Sequence, residues 1–209
     1  MKKTSLIFLV LIAGMTLIGA YSALFPVPAS TAFIRFLGLS AFLLLCVSLM
    51  IGPLSVIWPK AFAELIEPRR AVGIACFVFV LFHLLLVALL RFGFDIGAMI
   101  GALNLWISAP AAILLLIIAI TSSDFAIKKM GPLLWKNVQR LNYLAFILSF
   151  AHFILDSNGL FTIVRGKTFV NLAEAGLVVL GGIAILLQIA GFAIRRTNFR
   201  KNLSESEIR

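Results

Sequence analysis

This 209-residue sequence predicts an all-α integral membrane bundle of six transmembrane helices, on three observations. Hydrophobic residues make up 62% of the chain and charged ones only 12%. Mean hydropathy is +1.13, outside the range of soluble domains. Six apolar runs approach the roughly 20 residues that a helix needs to cross a hydrocarbon core about 30 Å thick, and the breaks between them carry charge or proline.

Taken in order, the spans are expected at about 5–25, 36–58, 71–90, 103–121, 138–157 and 172–194, within a single transmembrane domain covering 1–209. The first follows Lys2 and Lys3 and has the basic and apolar regions of a secretory signal. Its apolar run is long and the small-residue cleavage pattern after it is poor, so a retained span is expected. The second contains "LGLSAFLLLCVSLMIGP" and the third "ACFVFVLFHLLLVALL". The fourth begins near Gly97 and Gly101, a G-x-x-x-G pair that signals close helix packing. The fifth is the shortest clean run, 141–155, brought to spanning length by its polar flanks. The sixth starts near Glu174, expected at the membrane interface, and ends before the polar tail "RRTNFRKNLSESEIR". Each span is expected to be helical with short loops between, because lipid offers no partner to free backbone N–H and C=O groups. Trp58, Trp106 and Trp135 lie near span ends, as interfacial belt residues do.

Orientation follows from lysine and arginine. With the N-terminus inside, only Arg35, Arg91, Arg165 and Lys167 fall on outer segments, and the other 14 of 18 basic residues fall on inner ones. The positive-inside rule then places both termini in the cytoplasm of a multi-pass protein of the inner (plasma) membrane. The net charge of +10 is thereby explained by membrane topology, and no nucleic-acid partner is expected.

Several chemistries are excluded. The longest non-membrane stretches are the tail and the inner loop of about 122–137, too short for a βαβ nucleotide-binding unit, and G-x-G-x-x-G is missing. NAD(P)H or flavin-reductase chemistry is therefore expected from a separate protein. Cys46 and Cys76 stand singly in spans two and three with no C-x-x-C or C-x-x-C-H, which leaves covalent c-type haem and iron–sulfur ligation unsupported. Small buried hydrophobes are their expected role. Asn104, Asn142, Ser149 and Gln188 are expected to hydrogen-bond between helices.

The chain has two histidines, His83 and His152, each inside a span. Ionisable residues within membrane helices are rare and mark function. Counted from Arg70 and Arg140 at the inner edges, they lie 13 and 12 residues along, or about 20 Å and 18 Å of helix rise. Two neutral imidazoles at one level in the outer half suit the axial positions of a b-type haem. Zinc prefers four ligands, and none of the further ligands it needs lies at that depth. A proton-relay pair and incidental packing remain open on spacing alone.

The stretches "PRRAVGIACFVFVLFHLLLVALL" and "TSSDFAIKKMGPLLWKNVQRLNYLAFILSFAHFI" resemble the ferric-reductase-like transmembrane domain family. Within it they are most similar to the haem-binding membrane subunits of periplasmic methionine sulfoxide reductase systems. The resemblance covers spans two to six. It rests on Pro68, Arg69, Arg70, Gly73 and His83, on Thr121 and Ser122, and on Trp135, Gln139, Arg140, Leu141 and Tyr143 through His152. The second span also resembles the family's helix that ends in proline, here Pro53.

The resemblance implies one b haem held by His83 and His152 as axial ligands. Family members with two histidines on each haem helix hold two haems, whereas this chain has one on each. With the haem in the outer half, about 18–20 Å from the inner edge by helix rise, electrons are expected to arrive from a quinone pool or a flavin such as FMN and to leave on the outer face, to a periplasmic reductase partner or a ferric chelate. Arg91 and Arg165 are candidates for haem propionates or an anionic acceptor. Arg70, Gln139 and Arg140 are candidates for a quinone head or flavin phosphate. A free-standing ferric reductase and a non-redox transporter or scaffold are the competing expectations.

Overall fold

The computed structural model describes residues 3–24, 27–156, 161–164, 167–170 and 172–207. Helix α1 covers Lys3–Leu24, α2 Ala29–Ile57 and the single turn α3 Pro59–Phe62. A 3-10 turn, Ala63–Leu65, leads into α4, Ile66–Leu86, which continues as a π turn over Val87–Arg91. Then come α5 Ile96–Gly101, α6 Leu103–Ile120, α7 Asp124–Asp156, the strands β1 Phe161–Val164 and β2 Lys167–Val170, and α8 Leu172–Glu207. Helices α2, α4 with its π turn, α6, α7 and α8 each contain a segment long and apolar enough to cross a membrane. In α1 the described apolar stretch, Phe8–Ser22, is shorter. The chain is a multi-pass all-α membrane bundle, with one small antiparallel hairpin in which Phe161 faces Val170.

Helix α2 is the centre of the bundle. Of its most apolar window 61% is buried, against 11–22% in the other four, whose outward faces are left for lipid. It packs against α1, α4, α7 and α8. The core forms where these meet, around Phe42, Leu45, Cys46, Leu49, Val72 and Phe146. Phe42 stacks on Phe146, Phe150 and Phe153 of α7, with ring centroids 5.9, 5.6 and 4.8 Å away. Both cysteines are buried hydrophobes, as expected, at 0% and 1% exposure.

Several boundaries differ from the sequence expectation. Helix α2 starts at Ala29, well before residue 36, and does not end at Pro53 but runs on to Ile57. Proline has no N–H, so Pro53 deprives the Leu49 carbonyl of its helical donor. Gln188 of α8 supplies one at 2.6 Å, which is the interhelical role expected of it. The inner loop of 122–137 is largely helical: α7 begins at Asp124, breaks at Gly131 (φ 74°) beside Pro132, and then crosses. Gly97 and Gly101 belong to the separate α5 and bring no helix close. A Cβ on Gly101 would meet nothing within 4 Å, and one on Gly97 only its neighbour Asp95. The polar tail continues α8 as helix to Glu207.

Candidate functional site

A cavity of about 670 Å³ lies between α2, α4, α6 and α7 and reaches the start of α8. That is within the range of about 300–1,000 Å³ that cofactor and ligand sites occupy. Its deep end is apolar, with Leu45, Cys76 and Leu115, and its mouth is polar, with Ser30, Arg35, Arg91, Asn104 and Glu174. His83 and His152 both line it.

His83 is held by backbone. Its Nδ1 lies 3.0 Å from the Ile34 carbonyl oxygen of α2. A carbonyl can only accept, so Nδ1 carries the proton and the neutral ring keeps its lone pair on Nε2. The ring fits there because residue 38 is glycine: a Cβ at Gly38 would stand 3.0 Å from the His83 Cε1 and 3.1 Å from Nδ1. One turn further, the Val87 N–H reaches both the His83 and the Leu84 carbonyls, and the π turn Val87–Arg91 begins. Such turns inside α-helices often accompany functional sites. Here the turn carries Val87, Leu90 and Arg91 along the cavity wall.

His152 projects from α7 beside Phe153, whose ring stacks on Phe42, and Ser149 lines the cavity one turn below. Two imidazoles from separate helices can therefore each offer a ring nitrogen to a ligand held in one largely apolar space. Among the described residues no group of three or more His, Cys, Asp or Glu is placed to hold a metal ion.

At the mouth, Arg35 donates to Glu174 at 2.6 Å. Glu174, in the first turn of α8, is buried against the bundle at 7% exposure. The sequence does not show this pair, because Ser30, Thr31 and Arg35 read as loop before span two and Glu174 lies 139 residues away. Arg91 lines the same mouth, with its guanidinium 5.9 Å from the Phe92 ring centroid. Arg165 lies outside the described residues.

None of the inner-edge candidates lines the cavity, and two of them, Arg70 and Gln139, are tied to the end of α6. Arg70 donates to the Ser122 carbonyl at 3.2 Å and to Asp124 at 2.5 Å. Gln139 donates to Ser122 Oγ at 3.2 Å and the Ile118 carbonyl at 3.4 Å. Trp135 donates to the Thr121 carbonyl at 3.1 Å. The bonds to the Ser122, Ile118 and Thr121 carbonyls supply donors to backbone acceptors that a helix C-terminus leaves without partners. Among the described residues Arg140 bonds to Asn137 of its own helix, at 2.9 Å, and it is exposed.

A family model described as ferric reductase like transmembrane component matches residues 36–150, a stretch that includes His83 and stops just short of His152. The magnetosome protein MamZ of Magnetospirillum gryphiswaldense is 31% identical over 128 residues, which is 59% of this chain and 19% of that protein. The protein-methionine-sulfoxide reductase heme-binding subunit MsrQ of Agrobacterium fabrum is 30% identical over 127 residues, 59% of this chain and 57% of the relative. MsrQ of Rhodospirillum rubrum is 31% identical over 128 residues, covering 59% and 61%. The chain thus spans less than two thirds of the length of each of these relatives.

Proposed function

The chain belongs to the ferric-reductase-like transmembrane family, and from that premise we propose that it is a haem-binding electron-transfer subunit of the inner membrane, serving a reductase on the outer face. The observation that carries this reading is that His83 of α4 and His152 of α7 line one cavity. The name of the MsrQ relatives, heme-binding subunits of a methionine sulfoxide reductase, supports it.

His83 and His152 would hold one b haem through their ring nitrogens. Bound there, haem supplies reversible one-electron chemistry, its potential set by the axial ligands and by burial. The hydrogen bond from His83 to the Ile34 carbonyl fixes the tautomer and orientation of the imidazole and raises its basicity as a ligand. The apolar deep wall excludes water. Arg91 at the mouth, and Arg165, would be the cations that receive the haem propionates or an anionic acceptor.

The donor is a quinol or a flavin such as FMN at the inner edge, where Arg140 is the candidate with the fewest commitments to the fold. The acceptor is a periplasmic reductase partner. Both termini lie in the cytoplasm, in keeping with the basic residues clustered on inner segments.

A dithionite-reduced minus oxidised spectrum of the detergent-purified protein tests this reading, with His83→Ala and His152→Ala alongside. A b-type band pair at about one haem per chain, lost or made high-spin in each variant, is expected. A colourless wild type after expression with ample haem would overturn it and bring a transporter or scaffold forward. A ferric chelate reduced as fast without any partner protein as with one would replace the subunit role by a free-standing ferric reductase.

A further inference from the structure

Two arginines from different helices converge on the turn of α2 that precedes Pro53. Arg69 of α4 donates its Nε–H to the Ser48 carbonyl at 2.9 Å. Its Nη1 and Cζ lie only 3.4 and 3.7 Å from where a Cβ on Gly52 would stand. Arg195 of α8 reaches the Gly52 carbonyl at 3.5 Å. The two are close enough to interact electrostatically, with Tyr143 of α7 as a third neighbour.

Neither guanidinium has a carboxylate partner among the described residues, where Arg35 pairs with Glu174 and Arg70 with Asp124. The proline does not account for the charge. The carbonyl that Pro53 leaves without a donor is that of Leu49, and neutral Gln188 satisfies it. Two cations side by side repel each other unless an anion joins them, and Arg69's bond to the helix among the described residues uses its Nε–H and leaves its Nη donors available.

We propose that Arg69 and Arg195 form a binding site for a phosphate group at the inner end of the bundle. A guanidinium fork matches phosphate oxygens in pairs. Basic pockets between transmembrane helices on the cytoplasmic side are where anionic headgroups dock. Gly52 leaves the space, Arg195 is exposed and Arg69 is half-buried, so the site opens toward the headgroup layer. The phosphate belongs either to an acidic phospholipid or to a soluble molecule. The site is independent of the haem assignment, and its test needs no haem.

The full chain is placed in phosphatidylcholine nanodiscs containing phosphatidylglycerol, and retained lipid is counted by native mass spectrometry. Wild type, Arg195→Gln, Arg69→Gln and the neighbouring control Arg196→Gln are compared, and titration with inorganic phosphate forms a second arm. Retention of about one phosphatidylglycerol per chain, reduced about tenfold or more in Arg195→Gln but not in Arg196→Gln, is expected for a lipid phosphate. Displacement of that lipid by inorganic phosphate would assign the site to a soluble phosphate. Equal retention in Arg195→Gln and Arg196→Gln, with no effect of phosphate, would overturn the proposal. Because Arg195 is exposed, that outcome is readable even where Arg69→Gln fails to fold.

Discussion

His83 donates to the backbone carbonyl of Ile34 across the α2–α4 seam, and the same relationship recurs twice at intervals of seven residues. Cys76 donates its thiol to the Ala41 carbonyl at 3.3 Å, and Arg69 its Nε–H to the Ser48 carbonyl at 2.9 Å. Seven residues are close to two helical turns. One stripe of α4 therefore meets one stripe of α2 in antiparallel register, with a side-chain donor clamped to backbone at each repeat. The imidazole at the cavity is the outermost of three such clamps, so the whole seam sets its position.

Gly38→Ala should disturb that position. The new methyl would stand 3.0 Å from a ring already tied to Ile34, and overpacking of this kind costs about 1–3 kcal/mol. Lower haem content and a high-spin component in the optical spectrum are expected. An unaltered spectrum and melting temperature would mean the ring has room to move.

Gln188→Leu removes the donor that replaces the one Pro53 lacks. A carbonyl left without a partner in an apolar setting costs about 1–3 kcal/mol, and interhelical bonds in membranes fall toward the lower end. A loss of about 1–2 kcal/mol in reversible unfolding by SDS is expected, and it should vanish when Pro53→Ala restores the helical donor in the same chain.

Gly191→Leu should be worse than Gly182→Leu. A Cβ at Gly191 would meet Pro53 Cβ at 3.0 Å and its Cα at 3.2 Å, while one at Gly182 meets nothing within 4 Å. A loss of about 3 kcal/mol is expected at Gly191 and under about 1 kcal/mol at Gly182, read by thermal unfolding in detergent. Equal losses would show that α8 does not rest on the proline.

Arg140→Ala tests the donor side. Its bond to Asn137 is local and exposed, so stability should change by less than about 1 kcal/mol. If a quinol or flavin docks there, losing a charged hydrogen bond slows haem reduction about tenfold while leaving the spectrum as it was. An unchanged rate would remove the inner-edge assignment.

The passes of α2, α4, α6, α7 and α8 were legible in the sequence because apolar runs of spanning length have no other stable home. The start of α2 was not, since Ser30, Thr31 and Arg35 read as loop. Their side chains face a cavity, and Arg35 is balanced by Glu174, 139 residues away. The Gly131–Pro132 break reads as a loop signal although both flanks are helical. The histidines stood out because imidazoles are rare in such spans. What positions His83, a backbone carbonyl and the missing side chain of Gly38, carries no residue-type signature.

Arg35 with Glu174 and Leu49 with Gln188 are each 139 residues apart, so α2 and α8 run parallel and in step along their length. Helix α8 does not stop where that shared length ends but continues to Glu207. At 1.5 Å per residue, the 13 residues beyond Ile194 form a rod about 20 Å long. It is a ready-made mounting post. A fluorescent protein or antibody epitope joined through helix there inherits the tilt of the central helix, so a small rotation within the bundle becomes a measurable swing at the tip.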